Sequence, residues 1–227
     1  MSDFLSKLKK LEEEKKSVIV LAIDDVNFFE NNFLRKIKNY VIGIKVGLPV
    51  FLSMNLNIQD ALQNFSKDFV FIADLKIADI PYTSSLVASI IRKLGFDAII
   101  VHSFVGEDTI EAVNKEIPVI CVIAMTNTGS IFLDKHYLEL LNICNRLNVS
   151  GIVAPGNKLE ILKKIRENTK LKIFTPGIGV QGGNYELALK NGADYLIIGR
   201  SILQSSDPSL ELERILNKIH KTKAINK

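Results

Sequence analysis

The segment FIADLKIADIPYT, Phe71 to Thr83, places Asp74, Lys76 and Asp79 within six residues, and two further ionisable groups end short apolar runs: Asp24 in VIVLAID and Lys45 in VIGIKV. If the run around Asp74 is a strand, its period of two puts Ile72, Asp74 and Lys76 on one face and Phe71, Ala73 and Leu75 on the other. The second face is wholly apolar and suits packing under helices. The charged face must therefore look into a lumen, because an acid and an ammonium turned toward helices would be buried without partners at considerable cost. Taken alone, Asp74 and Lys76 read equally as a structural ion pair, and Asp79, just ahead of Pro81, as a carboxylate favoured by a helix start. Four groups converging on one mouth, Asp24, Lys45, Asp74 and Lys76, tip the reading toward an active site, since such a cluster is costly unless a ligand uses it.

A second set of residues has the chemistry of an anion grip. TPGIGVQGG, Thr175 to Gly183, follows one apolar run, and IIGRS, Ile197 to Ser201, ends the next. Gly177, Gly179, Gly182 and Gly183 let backbone N–H groups approach a ligand closely, and Arg200 adds a charged fork for phosphate oxygens. A glycine-rich turn alone is weak; paired with an arginine loop it points to a phosphate ester.

Eight apolar runs carry these groups, starting at Val18, Val41, Phe69, Ala98, Pro118, Ser150, Leu171 and Asp194. Apart from the first they show little polar alternation, as expected of parallel strands covered on both faces. Segments of helical spacing lie between them, for example Val87, Ile90, Ile91 and Leu94, or Leu159, Leu162 and Ile165. Gly95 and Gly192 read as C-terminal stops, and Asp207 with Pro208 as an N-cap and first helical residue. Eight strand–helix units in 227 residues predict a single α/β domain over 1–227, a (β/α)₈ TIM barrel, with the open doubly wound sheet as runner-up. Asp24, Asp25, Val26 and Asn27 occupy the turn where a dinucleotide fold would carry its glycines. Phe4, Leu8 and Leu11 predict an extra N-terminal helix against the barrel's N-terminal face. In such a barrel, charged strand ends face the catalytic mouth, and the last two loops commonly bind phosphate.

Composition narrows the function further. A formal net charge of +4, dispersed along the chain, does not suggest a nucleic-acid footprint. No apolar stretch approaches a membrane span, and the charged start does not resemble a secretory signal, so a cytoplasmic protein is expected. Cys121 and Cys144 read as buried thiols of a reducing compartment.

Taken together, LAID at Asp24, IKVG at Lys45, DLKIADIPYT from Asp74, PGIGVQGG from Pro176 and IGRS from Ile198 resemble the orotidine 5′-phosphate decarboxylase family, especially its short microbial form. The resemblance runs in order from the first strand to the eighth. It implies decarboxylation of orotidine 5′-phosphate to UMP, the final step of de novo UMP synthesis, without cofactor or metal. Lys45, Asp74, Lys76 and Asp79 would form a catalytic Lys-Asp-Lys-Asp array with Lys76 as proton donor, and Asp24 and Lys45 would hold the ribose hydroxyls. Asp79, Ile80 and Thr83 would reach the neighbouring site of a homodimer with shared active sites. Thr126, where the family often has Ser, would contact the pyrimidine. Gln181 would bridge pyrimidine and phosphate, and Gly199 and Arg200, with nearby backbone amides of the loop holding Pro176, Gly177 and Gly179, would bind the phosphate. Related metal-dependent sugar-phosphate enzymes share the Asp-x-Lys-x-x-Asp pattern but place a Glu ligand where this chain has Lys45, and an ammonium repels a cation.

Loss of CO₂ from the pyrimidine leaves an electron pair on a vinylic carbon, so an ammonium already in place is the natural electrostatic partner and proton source. Gln181 and the stretch Thr126 to Asp134 are expected lid segments. His102 is expected to pack or hydrogen-bond rather than act as a base, and His136 and His220 to be exposed in helices. Metal-dependent sugar-phosphate chemistry and a nucleotide-binding sensor are the competing readings.

Overall fold

The computed structural model describes residues 3–53 and 57–225. Strands β1 (Ile19–Ile23), β2 (Gly43–Gly47), β3 (Val70–Ile77), β4 (Ala98–His102), β5 (Val119–Val122), β6 (Gly151–Val153), β7 (Ile173–Thr175) and β8 (Tyr195–Ile198) pair in parallel, each with the next. Because β8 also pairs with β1, the sheet closes into a barrel, the (β/α)₈ architecture expected. Closure removes the sheet edges and explains why nearly every strand residue is buried.

Helices alternate with the strands: α1 (Asp3–Lys15), α2 (Asn31–Ile37), α3 (Leu48–Leu52), α4 (Asn57–Phe65), α5 (Pro81–Leu94), α6 (Glu107–Glu116), α7 (Ile131–Leu147), α8 (Leu159–Glu167), α9 (Tyr185–Lys190), α10 (Arg200–Leu203) and α11 (Pro208–Ile225). The stops fall where the sequence puts them. Gly95 caps α5 in the left-handed conformation, with its N–H donating to Arg92 and Ile91 carbonyls. The Asp207 carboxylate accepts from the N–H groups of Ser209 and Leu210 at the start of α11.

The extra helix α1 buries Phe4, Leu8 and Leu11 and closes the N-terminal face of the barrel. Polar staples fix it there: Lys7 pairs with Asp97 at 2.8 Å, Glu12 accepts from the Tyr195 hydroxyl, and Lys15 donates to the carbonyls of Val41 and Asp68. Burial pushes the Lys15 pKa down from 10.5 to about 8, against the pull of Asp68. Cys121 on β5 and Cys144 on α7 are free and buried, as expected. None of the described helices is long and apolar enough to cross a membrane.

Candidate active site

Strand register brings the charged side chains together. Lys45 pairs across β2 with Ala22 on one side and Ile72 on the other, and Gly47 stands opposite Asp74 one layer higher. A side chain at Gly47 would collide with the Asp24 carboxylate, so the glycine leaves room for Asp24 to lean over the mouth and for Lys45 to reach upward. Lys45 Nζ lies 2.6 Å from Asp74 Oδ2 and 3.3 Å from Asp24 Oδ1. Lys76 Nζ lies 2.8 Å from both oxygens of Asp74. One carboxylate thus accepts from two ammoniums.

Lys76 reaches Asp74 by an unexpected route. Strict alternation would carry β3 through it, but the β3–β4 register shifts between Ala73 and Ile77, and Lys76 adopts φ +44°. Left-handed backbone is unfavourable for a residue with a side chain, and such outliers cluster at functional sites. The twist lifts the Lys76 ammonium into the mouth, where its side chain is 41% exposed, while Asp74 below it is 5% exposed. The expectation that both charges face the lumen holds; the simple period of two behind it breaks down at Lys76.

The electrostatics keep the buried pair ionised. Burial alone would lower the Lys45 pKa, but the Asp74 and Asp24 carboxylates outweigh it and hold the ammonium above its ordinary value. Burial would raise Asp74, and the charges of Lys45 and Lys76 overcome that, leaving its carboxyl below the usual range.

These groups line one wall of a cavity of about 280 Å³. Its floor is apolar, made of Ile100, Val122, Val153 and Ile197, and Met125 and Thr126 flank it. The opposite wall is the predicted anion grip: Pro176, Gly177, Gln181, Gly199, Arg200 and Ser201. Gly177 (φ +87°) and Gly179 (φ +76°) let the loop fold back, so that the Gly183 N–H donates to the Gly177 carbonyl and the Gly179 N–H to the Gly183 carbonyl.

Some expected residues lie elsewhere in the single chain. Asp79, Ile80 and Thr83 stand outside the cavity wall; Asp79 and Ile80 are exposed on the rim, and the Asp79 carboxylate accepts from the Ile80 N–H. His102 closes β4 outside the lining, its ring 4.7 Å from that of Phe104, and burial plus the Lys76 charge push its pKa down. His220 is exposed, whereas His136 is half-buried, because its ring packs on Phe132 and pairs with Glu139. The stretch Thr126 to Asp134, expected as a lid, runs into the first turn of α7 and is tied to the loop after β6 through Asn157 and Lys158. Those two residues were not foreseen; the polar GNK turn after the sixth apolar run was the available signal.

Fold and site define a (β/α)₈-barrel enzyme with an acid–ammonium cluster facing glycine-built loops across its C-terminal mouth. The family model of orotidine 5′-phosphate decarboxylase / HUMPS matches residues 17–215, and the chain belongs to that family, as a decarboxylase of the lyase class. It is 39% identical over 208 residues to the orotidine 5′-phosphate decarboxylase of Pyrococcus abyssi, covering 89% of this chain and 99% of the relative. It is 40% identical over 190 residues to that of Thermoplasma acidophilum, covering 82% and 87%. The crystal structure of the Methanocaldococcus jannaschii enzyme with the inhibitor BMP superposes with a TM-score of 0.82 at 36% identity, covering 89% of this chain and 98% of that one.

Proposed function

We infer that the chain converts orotidine 5′-phosphate to UMP and CO₂ without a cofactor, with Lys76 as the proton donor. The observation that carries the reading is the Asp74 carboxylate held between Lys45 and Lys76 at one end of a cavity whose other end is the Gly177–Arg200 grip. A nucleotide fits this polarity: phosphate on Arg200 and the loop amides, ribose hydroxyls on Asp24 and Lys45, pyrimidine over the apolar floor near Thr126 with Gln181 above it. The substrate carboxylate then lies against Asp74 and Lys76.

In the chemical step the bond from the pyrimidine ring to the carboxylate breaks, CO₂ leaves, and the electron pair stays on the ring carbon. The Lys76 ammonium stabilises that pair and delivers a proton to it, becoming a neutral amine that solvent reprotonates. Lys45 stays charged and fixes Asp74, and Asp74 orients Lys76. Contacts made by the distant phosphate organise these groups, so binding energy away from the reacting carbon supports the chemistry.

Asp79 joins this array from a second copy of the chain. Ile80, Tyr82, Leu86 and Ile90 are exposed on and beside α5, and Phe104 is exposed on the loop after β4, an apolar surface at the rim next to the mouth. Such a surface suits a homodimer whose partner supplies Asp79, Ile80 and Thr83 to the site.

Metal-dependent chemistry on a sugar phosphate is disfavoured by Lys45, whose ammonium occupies the Asp24 and Asp74 oxygens that would otherwise be free for a cation. The test is direct: purified chain incubated with orotidine 5′-phosphate should remove the orotate absorbance at an undiminished rate after exhaustive chelation. Unchanged absorbance from a folded sample rejects the reading; chelator-sensitive turnover rejects its cofactor-free form.

A further inference from the structure

Lys158 lies outside the cavity wall, yet its ammonium is fully engaged by the loop that brings Thr126 to the cavity. Its Nζ is 3.1 Å from the Asn127 carbonyl, 2.9 Å from Ser130 Oγ and 2.5 Å from Asp134 Oδ2. An ammonium has three donors, and these three acceptors use them all. The side chain is 17% exposed, so this is a largely desolvated contact rather than a surface pair.

The acceptors are themselves linked. Ser130 Oγ donates within reach of Asp134 Oδ1 at 3.0 Å and of the Asn127 carbonyl at 3.1 Å, closing the turn between Thr126 and α7. The neighbouring Asn157 Nδ2 donates to the Thr126 carbonyl at 3.0 Å. On the far side, a side chain at Gly177 would meet Thr126 Cγ2 and Asn157 Oδ1, so the loops after β5, β6 and β7 touch at one point. Thr126 thus stands on a turn gripped from beneath by Asn157 and Lys158 and abutting the phosphate loop from the side.

We propose that Lys158 is a positioning residue: through Asn127, Ser130 and Asp134 it holds the loop after β5 in its binding-competent shape before ligand arrives, and so presents Thr126 to the pyrimidine. The proposal rests on the nucleotide reading above. Without the ammonium, the Asp134 carboxylate and the Asn127 carbonyl lose their shared donor, the turn gains alternative shapes, and ligand must order it on binding.

A double-mutant cycle tests this with the full-length chain, using KM and kcat for orotidine 5′-phosphate and the dissociation constant for UMP by calorimetry. Lys158→Met should weaken UMP binding and raise KM about tenfold, with kcat much less affected, and Thr126→Ala should do the same. The double variant should be no weaker than the worse single one, since Lys158 acts through Thr126. Lys158→Arg should restore most of the loss. Multiplying effects in the double variant, or a Lys158→Met change confined to the melting temperature, overturn the proposal. If Lys158→Met does not fold, Asp134→Asn runs the same cycle with the same expected coupling. A parent chain that binds UMP but does not turn over substrate defeats the decarboxylase reading while the UMP cycle still decides the loop's role; a folded parent that does not bind UMP defeats both.

Discussion

Lys45 and Lys76 are bound to each other through one carboxylate: Asp74 Oδ2 lies 2.6 Å from the first ammonium and 2.8 Å from the second. The two cations differ in their access to solvent. Lys45 is buried beneath the carboxylate, and Lys76 rises from the left-handed turn into the mouth. That difference suits Lys45 to holding Asp74 in place and suits Lys76 to the proton transfer proposed above.

Removing the reactive one should abolish turnover while sparing the fold. Lys76→Ala is expected to lower kcat by at least about 100- to 10,000-fold, the range attributed to a positioned general acid. Circular dichroism and UMP affinity should stay near those of the parent. Retained turnover would remove Lys76 from the chemistry.

Cutting the shared carboxylate should instead destabilise the barrel. Asp74→Ala strands the buried Lys45 ammonium, and breaking such a pair costs about 3–5 kcal/mol, the lower end applying here because Asp24 still faces Lys45. Asp24→Ala should cost under about 1 kcal/mol, since an exposed partner is well solvated. Urea unfolding of the two variants gives the comparison, and equal losses would show that burial does not govern this cluster.

Stability should follow pH through the same groups. Asp74 titrates below its ordinary 3.8 in the fold, so its contribution is complete above that value and is lost as pH falls through the native pKa. Lys45 titrates above 10.5, so its contribution is complete below that value and is lost as pH rises through the native pKa. Lys15 behaves oppositely. With a native pKa of about 8 against 10.5 unfolded, it favours the fold increasingly as pH rises between those values. Melting temperatures across that interval should rise less in Lys15→Met than in the parent.

Gly47→Ala probes the ribose end of the cavity. The added methyl would occupy the position of the Asp24 carboxylate and push it off Lys45, so kcat/KM should fall by up to about 100-fold with a small stability change. A crystal structure of the variant with Asp24 unmoved and activity lost would contradict that route.

Subunit sharing predicts complementation. Lys76→Ala and Asp79→Ala chains, each inactive alone, should recover about a quarter of parental activity after free exchange, because half the dimers are hybrids with one intact site. Absence of recovery with exchange confirmed by mass spectrometry removes Asp79 from the partner's site.

Much of this architecture was legible because buried parallel strands leave a plain record: eight β-branched runs became eight strands, and the charges ending the first three mark the mouth. The backbone turn at Lys76 left no local mark. A register shift depends on how β3 meets β4, and nothing in the residue types at Leu75 or Lys76 favours φ above zero. Lys158 escaped notice for a similar reason, since its three acceptors lie 24 to 31 residues earlier and only the packing of adjacent loops unites them.

The left-handed backbone at Lys76 also bears on how this chain tolerates redesign. Glycine would relax that position, and a protocol that ranked substitutions by thermostability alone would favour it there. Optimising robustness blindly would therefore erase the Lys76 ammonium that rises into the mouth, so a sound engineering campaign fixes that residue first and lets the scaffold improve around it.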